Sequence, residues 1–481
     1  MIFRRYCSPF VVCITVSEVK RFVLNKTKLL VVAGILCVFA AVNAQNAFAQ
    51  NRQDANGAQQ NRARRQFNQN NRPAFERPNL KPTLFANLGD KLYTPDGMAI
   101  HSTTGALYLN VPNFGRMNEN ESKTKPDSAQ GGYLYEVQKD GSVTKILEYP
   151  VLEETGQAGP MGIACGPDGN LYVCDNQYFH NTNSLSRILR VVCQDGKPTG
   201  EVQVVIEGLK LANGIVWYGD KMFYTDSFFD IDVDKEEGII GSGGVFLFTL
   251  DEVKAAGTDG KPALKVNASP DDPHCVAYQK VTKLGRGDNT GPDGLCVDKN
   301  GVLWFGNFGN GFIYCLRPNE AGEYKQENVE NVFDALNQPG VRRGQYQGSK
   351  LECCDGICYD PNLDVVFIDD SCGNAIWYFK PCAKGEKITP RILWKNDDND
   401  GNEGLLDQPC EAIVFDGKLV IVNFDWPFPG LANSKLDPPG TLSAIDYAEI
   451  EKFVRRAESF QQRGGAAPNA PNRNRARRPQ N

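Results

Sequence analysis

One three-strand unit recurs along this chain, and it restricts the fold more than any other feature. The stretch from Gly291 to Leu316 runs through a Pro-acid-Gly corner, an apolar run, a Lys-Asn-Gly turn, an apolar-aromatic run ending at Asn307, and a third run after Gly311. Asn-Gly supplies the positive φ of a hairpin turn and period-two apolar runs suit a pleated strand, so the unit reads as three short strands joined by tight turns. Five other stretches follow the same order, with corners at Asp96-Gly97, Met161-Gly162, Asn213-Gly214, Asp355-Gly356 and, with Ala in place of Gly, Glu411-Ala412. The second run of each unit ends on a carboxylate or amide: Asn110, Asp175, Asp226, Asn307, Asp369 and Asn423. Strand-only self-similarity at a spacing of roughly 40 to 80 residues is the signature of a propeller with unequal loops. The six copies predict an all-β, six-bladed β-propeller.

The last copy has three strands, over residues 412–415, 419–423 and 441–446, and then reads as a short helix. A propeller hides its sheet edges, so the early apolar run 82–88 is expected to supply the missing fourth strand and close the last blade. Fourth strands elsewhere are expected at 143–149, 202–206, 263–266, 329–333 and 388–394. Strand alternation then puts the long connections, including 268–290 and 424–440, on the face where the corners open.

The chain has 481 residues, 41% of them hydrophobic, which suits a large core over 82–450. Residues 29–42 are apolar, follow Lys20, Arg21, Lys26 and Lys28, and precede Ala47-Phe48-Ala49. That pattern predicts a signal peptide over 1–49 and an exported protein, periplasmic or secreted. Residues 50–81 read as a disordered basic linker, and 451–481 as a short helix with an Arg/Pro/Asn-rich tail. These arginines suit an anionic surface or polymer. No aromatic residues interleave with those of the last tail, so no specific nucleic-acid partner is expected.

Of 15 cysteines, Cys7, Cys13 and Cys37 leave with the leader. Cys165, Cys174, Cys193, Cys296, Cys315 and Cys358 fall in apolar strand runs and read as small core residues. Cys353, Cys354 and Cys410 precede two adjacent corners, where a bridge is sterically open to them.

Five of six corners carry an oxygen donor: Asp96, Asn213, Asp293, Asp355 and Glu411. Four carboxylates and an amide converging on one spot repel each other unless a cation is present. Hard oxygen donors point to a divalent cation, with Ca2+ the best fit. The second ring, from Asn110 to Asn423, is expected to bond to local backbone groups instead.

The corners in LANGIVWYGDKMFYTDS and GPDGLCVDKNGVLWFGNFGNGFIYCL resemble those of the senescence marker protein/gluconolactonase/luciferin-regenerating family of six-bladed, calcium-dependent hydrolases. The resemblance covers roughly 82–447 and is most specific over 211–316. It implies that Asn213 and Asp293 hold the metal, and that Glu411 takes the family's Glu position in a chain permuted by one blade. Met161 stands where a further Asn is expected, and a thioether is a poor calcium ligand; the extra acids Asp96 and Asp355 are expected to compensate, and Asp96, Met161, His180 and Trp426 to contact the substrate. The implied activity is metal-assisted hydrolysis of a lactone or related ester, a small sugar-derived substrate, with Asp293 or Asp355 as base or nucleophile. The stretch GPMGIACGPDGNLYVCDN is also similar to NHL-type binding propellers, so a non-catalytic module holding a carbohydrate or peptide stays open.

Among other candidates, His180 lies in a loop on the functional face within reach of a base role, while three histidines form no zinc cluster. No Gly-x-Ser-x-Gly is present. The segment NDDNDGNEGLLD, 396–407, has calcium-loop spacing but reads more naturally as a solvated acidic turn. Trp426 and Phe428 are expected as substrate walls.

Overall fold

The computed structural model describes residues 78–465, apart from 90–91, 115–116, 119–122, 125–130, 182, 230–238, 259, 283–289, 335–350 and 428–431. The expected signal peptide over 1–49, most of the expected basic linker, the final tail and Phe428 lie outside the described residues.

Six sheets are arranged as the blades of a propeller. The first runs Met98–Ile100, Leu107–Val111, Tyr133–Val137, Val143–Glu148 from inner to outer strand, and the others repeat that antiparallel order. Inner strands two to six are Pro160–Cys165, Ala212–Tyr218, Pro292–Val297, Ile357–Asp360 and Pro409–Phe415. The turns behind them follow from local chemistry. In the fourth blade Asp298 Oδ1 accepts the N–H groups of Asn300 (2.8 Å) and Val302 (3.1 Å), which frees Gly301 to take φ +76°. Second strands such as Leu107–Val111 and Leu303–Asn307 are buried along their whole length. Both faces of each blade are covered by its neighbours, so these strands lose the alternation of a one-sided sheet.

In the sixth sheet Thr441–Asp446 pairs on its outer side with Thr83–Asn87, Asn87 opposite Thr441 and Thr83 opposite Ala444. Packing begins before that strand, because Leu80 is buried in a cluster with Leu393, Ile445 and Ile450. The helix Tyr447–Gly465 is longer than the short one expected, and buries Ile450 and Val454, one turn apart, against the same cluster.

Two expected features are corrected. Residues 263–266 were expected as the outer strand of the third blade. Instead Leu264–Lys265 adds, in parallel, to the edge of the second sheet. The third blade takes Cys275–Thr282, from a stretch expected to be loop, as its outer strand against Ile239–Thr249. Also, Cys354 and Cys410 are free, and Cys353 is bonded to Cys372 in the short turn after Asp370.

Candidate metal and substrate site

The corners meet because the inner strands touch through their glycines. A Cβ on Gly97 would stand 2.5 Å from the Met161 carbonyl oxygen, on Gly162 2.4 Å from that of Asn213, on Gly214 2.6 Å from that of Asp293, and on Gly294 2.2 Å from that of Asp355. No side chain fits there, so these glycines set the approach of one blade to the next. Hydrogen bonds fix the same steps: the Gly294 N–H donates to the Asp355 carbonyl at 3.0 Å, and Thr225 Oγ1 donates to that of Asp293 at 2.7 Å.

In the sixth blade this pattern shifts by one residue. The Gly356 N–H donates to the carbonyl of Cys410 at 2.8 Å, and the atom next nearest a Cβ on Gly356 is the Cα of Glu411. Cys410 therefore occupies the corner register, and Glu411 takes the place that glycine holds in the other five blades. The sequence alignment of corners was one residue out at this point. Glu411 puts a carboxylate where its neighbours have no side chain.

Asp96, Met161, Asn213, Asp293 and Asp355 line one pocket of about 420 Å³, counted to its solvent-open mouth. Glu411 is not in that lining but is electrostatically next to Asp369, Asp96 and Asp293. Burial pushes the Asp96 carboxyl up to about 7, against the Gly97 N–H, which lowers it. Burial, then the charges of Asp293 and Asp96, hold Asp355 well above the usual carboxylate range. Glu411 is raised in the same direction by burial, then by Asp369 and Asp96. Ser371 Oγ lies within hydrogen-bond reach of both Asp355 Oδ2 and, at 2.6 Å, the Pro409 carbonyl. A hydroxyl has one proton to give, so Ser371 donates to one of these two acceptors at a time, and its bond to Asp355 lowers that carboxyl against the effect of burial.

The second ring divides. Asn110 donates to the Met161 carbonyl at 2.6 Å. Asp175 accepts from the Gly159 N–H at 2.7 Å and pairs with Arg187 at 2.6 Å. Asp226 accepts from the N–H groups of Lys210 and Leu211 at 2.9 and 2.7 Å, and Asn423 accepts from that of Asp407 at 3.0 Å. Asp175, Asp226 and Asn423 thus bond to the backbone of their own blades, as expected, whereas Asn110 reaches the corner of the next blade. Asn307 and Asp369 depart from that pattern: both are fully buried, and neither has a side-chain hydrogen-bond partner. Burial alone raises Asp369 well above the usual range.

Hard oxygen donors and a buried, unpartnered carboxylate next to Glu411 fit a divalent cation. They are not drawn tightly together: among the described residues the only trio of His, Cys, Asp or Glu with ligand atoms within 4.8 Å of one another is Cys353, Asp370 and Cys372. Two of those three sulfur and oxygen donors are already spent in the disulfide.

The remaining candidates lie away from the pocket. Trp426 is fully buried, stacked on Phe114 with centroids 5.2 Å apart and edge-on to Phe179 at 4.9 Å. The aromatic side chains that reach the pocket are Phe179, Phe308 and Phe424, which the sequence reading did not single out. His180 packs 5.5 Å from Phe114, and burial pushes it down to about 4. His101 Nε2 donates to the Gly169 carbonyl at 2.9 Å on the far side.

Sheets, strand order and an acidic channel mouth define a six-bladed propeller with a candidate site on its axis. Residues 127–329 match the family model of the SMP-30/Gluconolactonase/LRE-like region. The chain thus resembles that family as its corners imply, and carries a gluconolactonase-like region that includes Met161, Asn213 and Asp293. Asp96, Asp355 and Glu411 lie outside the matched residues. Comparison with curated proteins gave no match. Solved structures similar to this chain include a PQQ-bound aldose sugar dehydrogenase from Streptomyces coelicolor (16% identity, 77% of this chain and 98% of that one, TM-score 0.44). A gluconolactonase from Xanthomonas campestris (15%, 78% and 99%, TM-score 0.39) and a luciferin-regenerating enzyme (13%, 76% and 95%, TM-score 0.44) are others. Likenesses of this depth carry no argument about activity.

Proposed function

We propose that the chain is an exported, metal-dependent hydrolase of a lactone or related sugar-derived ester. The observation that carries the reading is the acidic set at the channel mouth, buried Asp96, Asp293 and Asp369 with half-buried Asp355 and Glu411, gathered in a chain with a gluconolactonase-like region. The fold alone would not support it, since propellers host many functions.

Glu411, Asn213 and Asp293 would hold the cation, best calcium, with Asp369 behind Glu411. When bound, such an ion polarises a carbonyl oxygen and keeps the surrounding carboxyls ionised. Asp355, or Asp293 beside it, takes a proton from the attacking water. The water oxygen bonds to the carbonyl carbon, the ring C–O bond breaks, and the proton passes to the leaving oxygen, giving a hydroxy acid. Phe179, Phe308 and Phe424 wall the substrate and exclude bulk water, and Asp96 and Met161 line the same pocket. Export rests on the leader pattern, and a bond between buried Cys353 and Cys372 fits an oxidising compartment.

The test is release of acid from a panel of sugar lactones by the full chain, with calcium and after chelation. Turnover that needs calcium and is lost in Asp293→Asn supports the reading. Calcium binding with no turnover on any lactone would sink the hydrolase and leave a binding propeller with a structural ion.

A further inference from the structure

The acidic segment 396–407 connects Arg391–Lys395 of the fifth blade to Pro409–Phe415 of the sixth. It is no EF-hand. Strands flank it, and Asn396, first in the calcium-loop spacing, pins the turn by accepting from the Leu406 N–H at 3.0 Å and Trp394 Nε1 at 3.1 Å.

The fold does something else with its far end. Asp407 is 2% exposed and is set against Asp425, 3% exposed, from the connection after Lys418–Asn423. The charges that act most on Asp407 are Asp425, Asp398, Asp437 and Asp400, all negative; with burial ahead of them they push its carboxyl up to about 9. Asp425 is satisfied on both oxygens, by Asn433 Nδ2 at 3.1 Å and the Asp437 N–H at 2.7 Å, and Asp398 accepts from Ser434 on both, from its N–H at 3.4 Å and its Oγ at 2.5 Å. Asp407 is not: its Oδ1 is buried without a hydrogen-bond donor. A carboxylate oxygen in that position is costly unless it meets a cation. Gly401 takes φ +64° beside this carboxyl, where a Cβ would stand 2.5 Å from Thr441 Oγ1 and in ordinary contact, 3.5 Å, with Asp407 Oδ2.

We propose that Asp407, Asp425, Asp398 and Asp437 form a second cation site, at the junction of the fifth and sixth blades, for a hard divalent ion such as calcium. No three of these carboxylates yet have oxygens within 4.8 Å of one another, so loading draws the two connections together. The consequence reaches the pocket through Gln408. It follows Asp407, lines the pocket, and its Oε1 accepts from the Trp426 N–H at 2.5 Å and Asn433 Nδ2 at 3.2 Å. An ion here fixes one wall of the channel mouth without touching substrate.

The experiment is calorimetry with calcium alone on the chelator-treated full chain carrying Asn213→Ala and Glu411→Ala, which disable the mouth. About one equivalent of calcium should still bind, and adding Asp407→Asn should abolish it. No binding in the mouth-disabled protein, or binding that Asp407→Asn leaves unchanged, overturns the proposal. Thermal melting guards against simple misfolding. With chelator, Asp407→Asn alone should melt no lower than the unsubstituted chain, because burial and the neighbouring acids already oppose ionisation of this carboxyl; a lower melt would mean the carboxyl serves packing, and the site would fall.

Discussion

Glu411 stands beside Gly356 in the position that glycine fills in the other five blades, its Cα 2.8 Å from where a Cβ on Gly356 would be. The five glycines let the inner strands close on the axis, and the one carboxylate among them sits in the resulting space. Its nearest charges are Asp369 and Asp96. Replacing Glu411 by Gln should therefore weaken calcium binding at the mouth by at least about tenfold, since one charged ligand is lost. The same change should raise the melting temperature of the calcium-free protein, because a repelling charge is gone. Calorimetry and a melt with chelator read the two effects, and a variant that binds calcium as the unsubstituted chain does removes Glu411 from the site.

Gly294→Ala tests whether inter-blade contact needs glycine. Its Cβ would stand 2.2 Å from the Asp355 carbonyl oxygen and 2.6 Å from the Gly356 Cα. Both are backbone atoms on a strand held by hydrogen bonds, so neither can yield cheaply. A loss of about 1–3 kcal/mol in denaturant titration is expected. An unchanged midpoint would mean the strands stand further apart than described.

The stability of the cation-free protein should fall as pH rises. Burial raises Asp96 to about 7, Asp370 to about 7 and Asp226 to about 6, against an ordinary 3.8. Between those values the folded chain keeps protons that the unfolded chain releases, so the folded state is favoured by acid. That contribution is complete below 3.8 and disappears as pH passes through about 6 to 7. Chelated protein should accordingly melt higher at pH ~5 than at pH ~8, and calcium should narrow the difference by stabilising the ionised carboxylates. A melting temperature that rises over this range would contradict the buried acidic set.

The Cys353–Cys372 bond should matter to both stability and the site. It spans 19 residues of sequence, for which loss costs about 3 kcal/mol by loop closure alone. Cys372 also follows Ser371, the partner of Asp355, and the bonded pair packs on Phe308 of the pocket wall. Cys353→Ala should lower the unfolding midpoint and depress turnover together. A thiol titration of denatured, unreduced protein that finds every cysteine free would remove the bond.

How far the sequence reaches can be judged from particular residues. Asn-Gly and Asp-Gly corners, the turn at Asp298 to Gly301 and the apolar runs between them announce six blades, because hairpin turns and strand periodicity are local properties. The acids Asp96, Asp293 and Asp355 were legible for the same reason, each being tied to a corner glycine. Tertiary structure decided what depends on pairing between distant segments. Cys275–Thr282 rather than 263–266 borders the third blade, and Cys372 rather than Cys354 or Cys410 meets Cys353. Trp426 lies behind Phe179 and Phe424 instead of facing the pocket. The one-residue shift that puts Cys410 in the corner register and Glu411 in the glycine position has no local signature, since either alignment preserves the apolar pattern. It is set by the hydrogen bond from Gly356 to Cys410 across two blades. Spacing along a chain fixes which residues share a strand. Which of two neighbours faces the axis is a matter of register, and register is settled only when another strand arrives to pair.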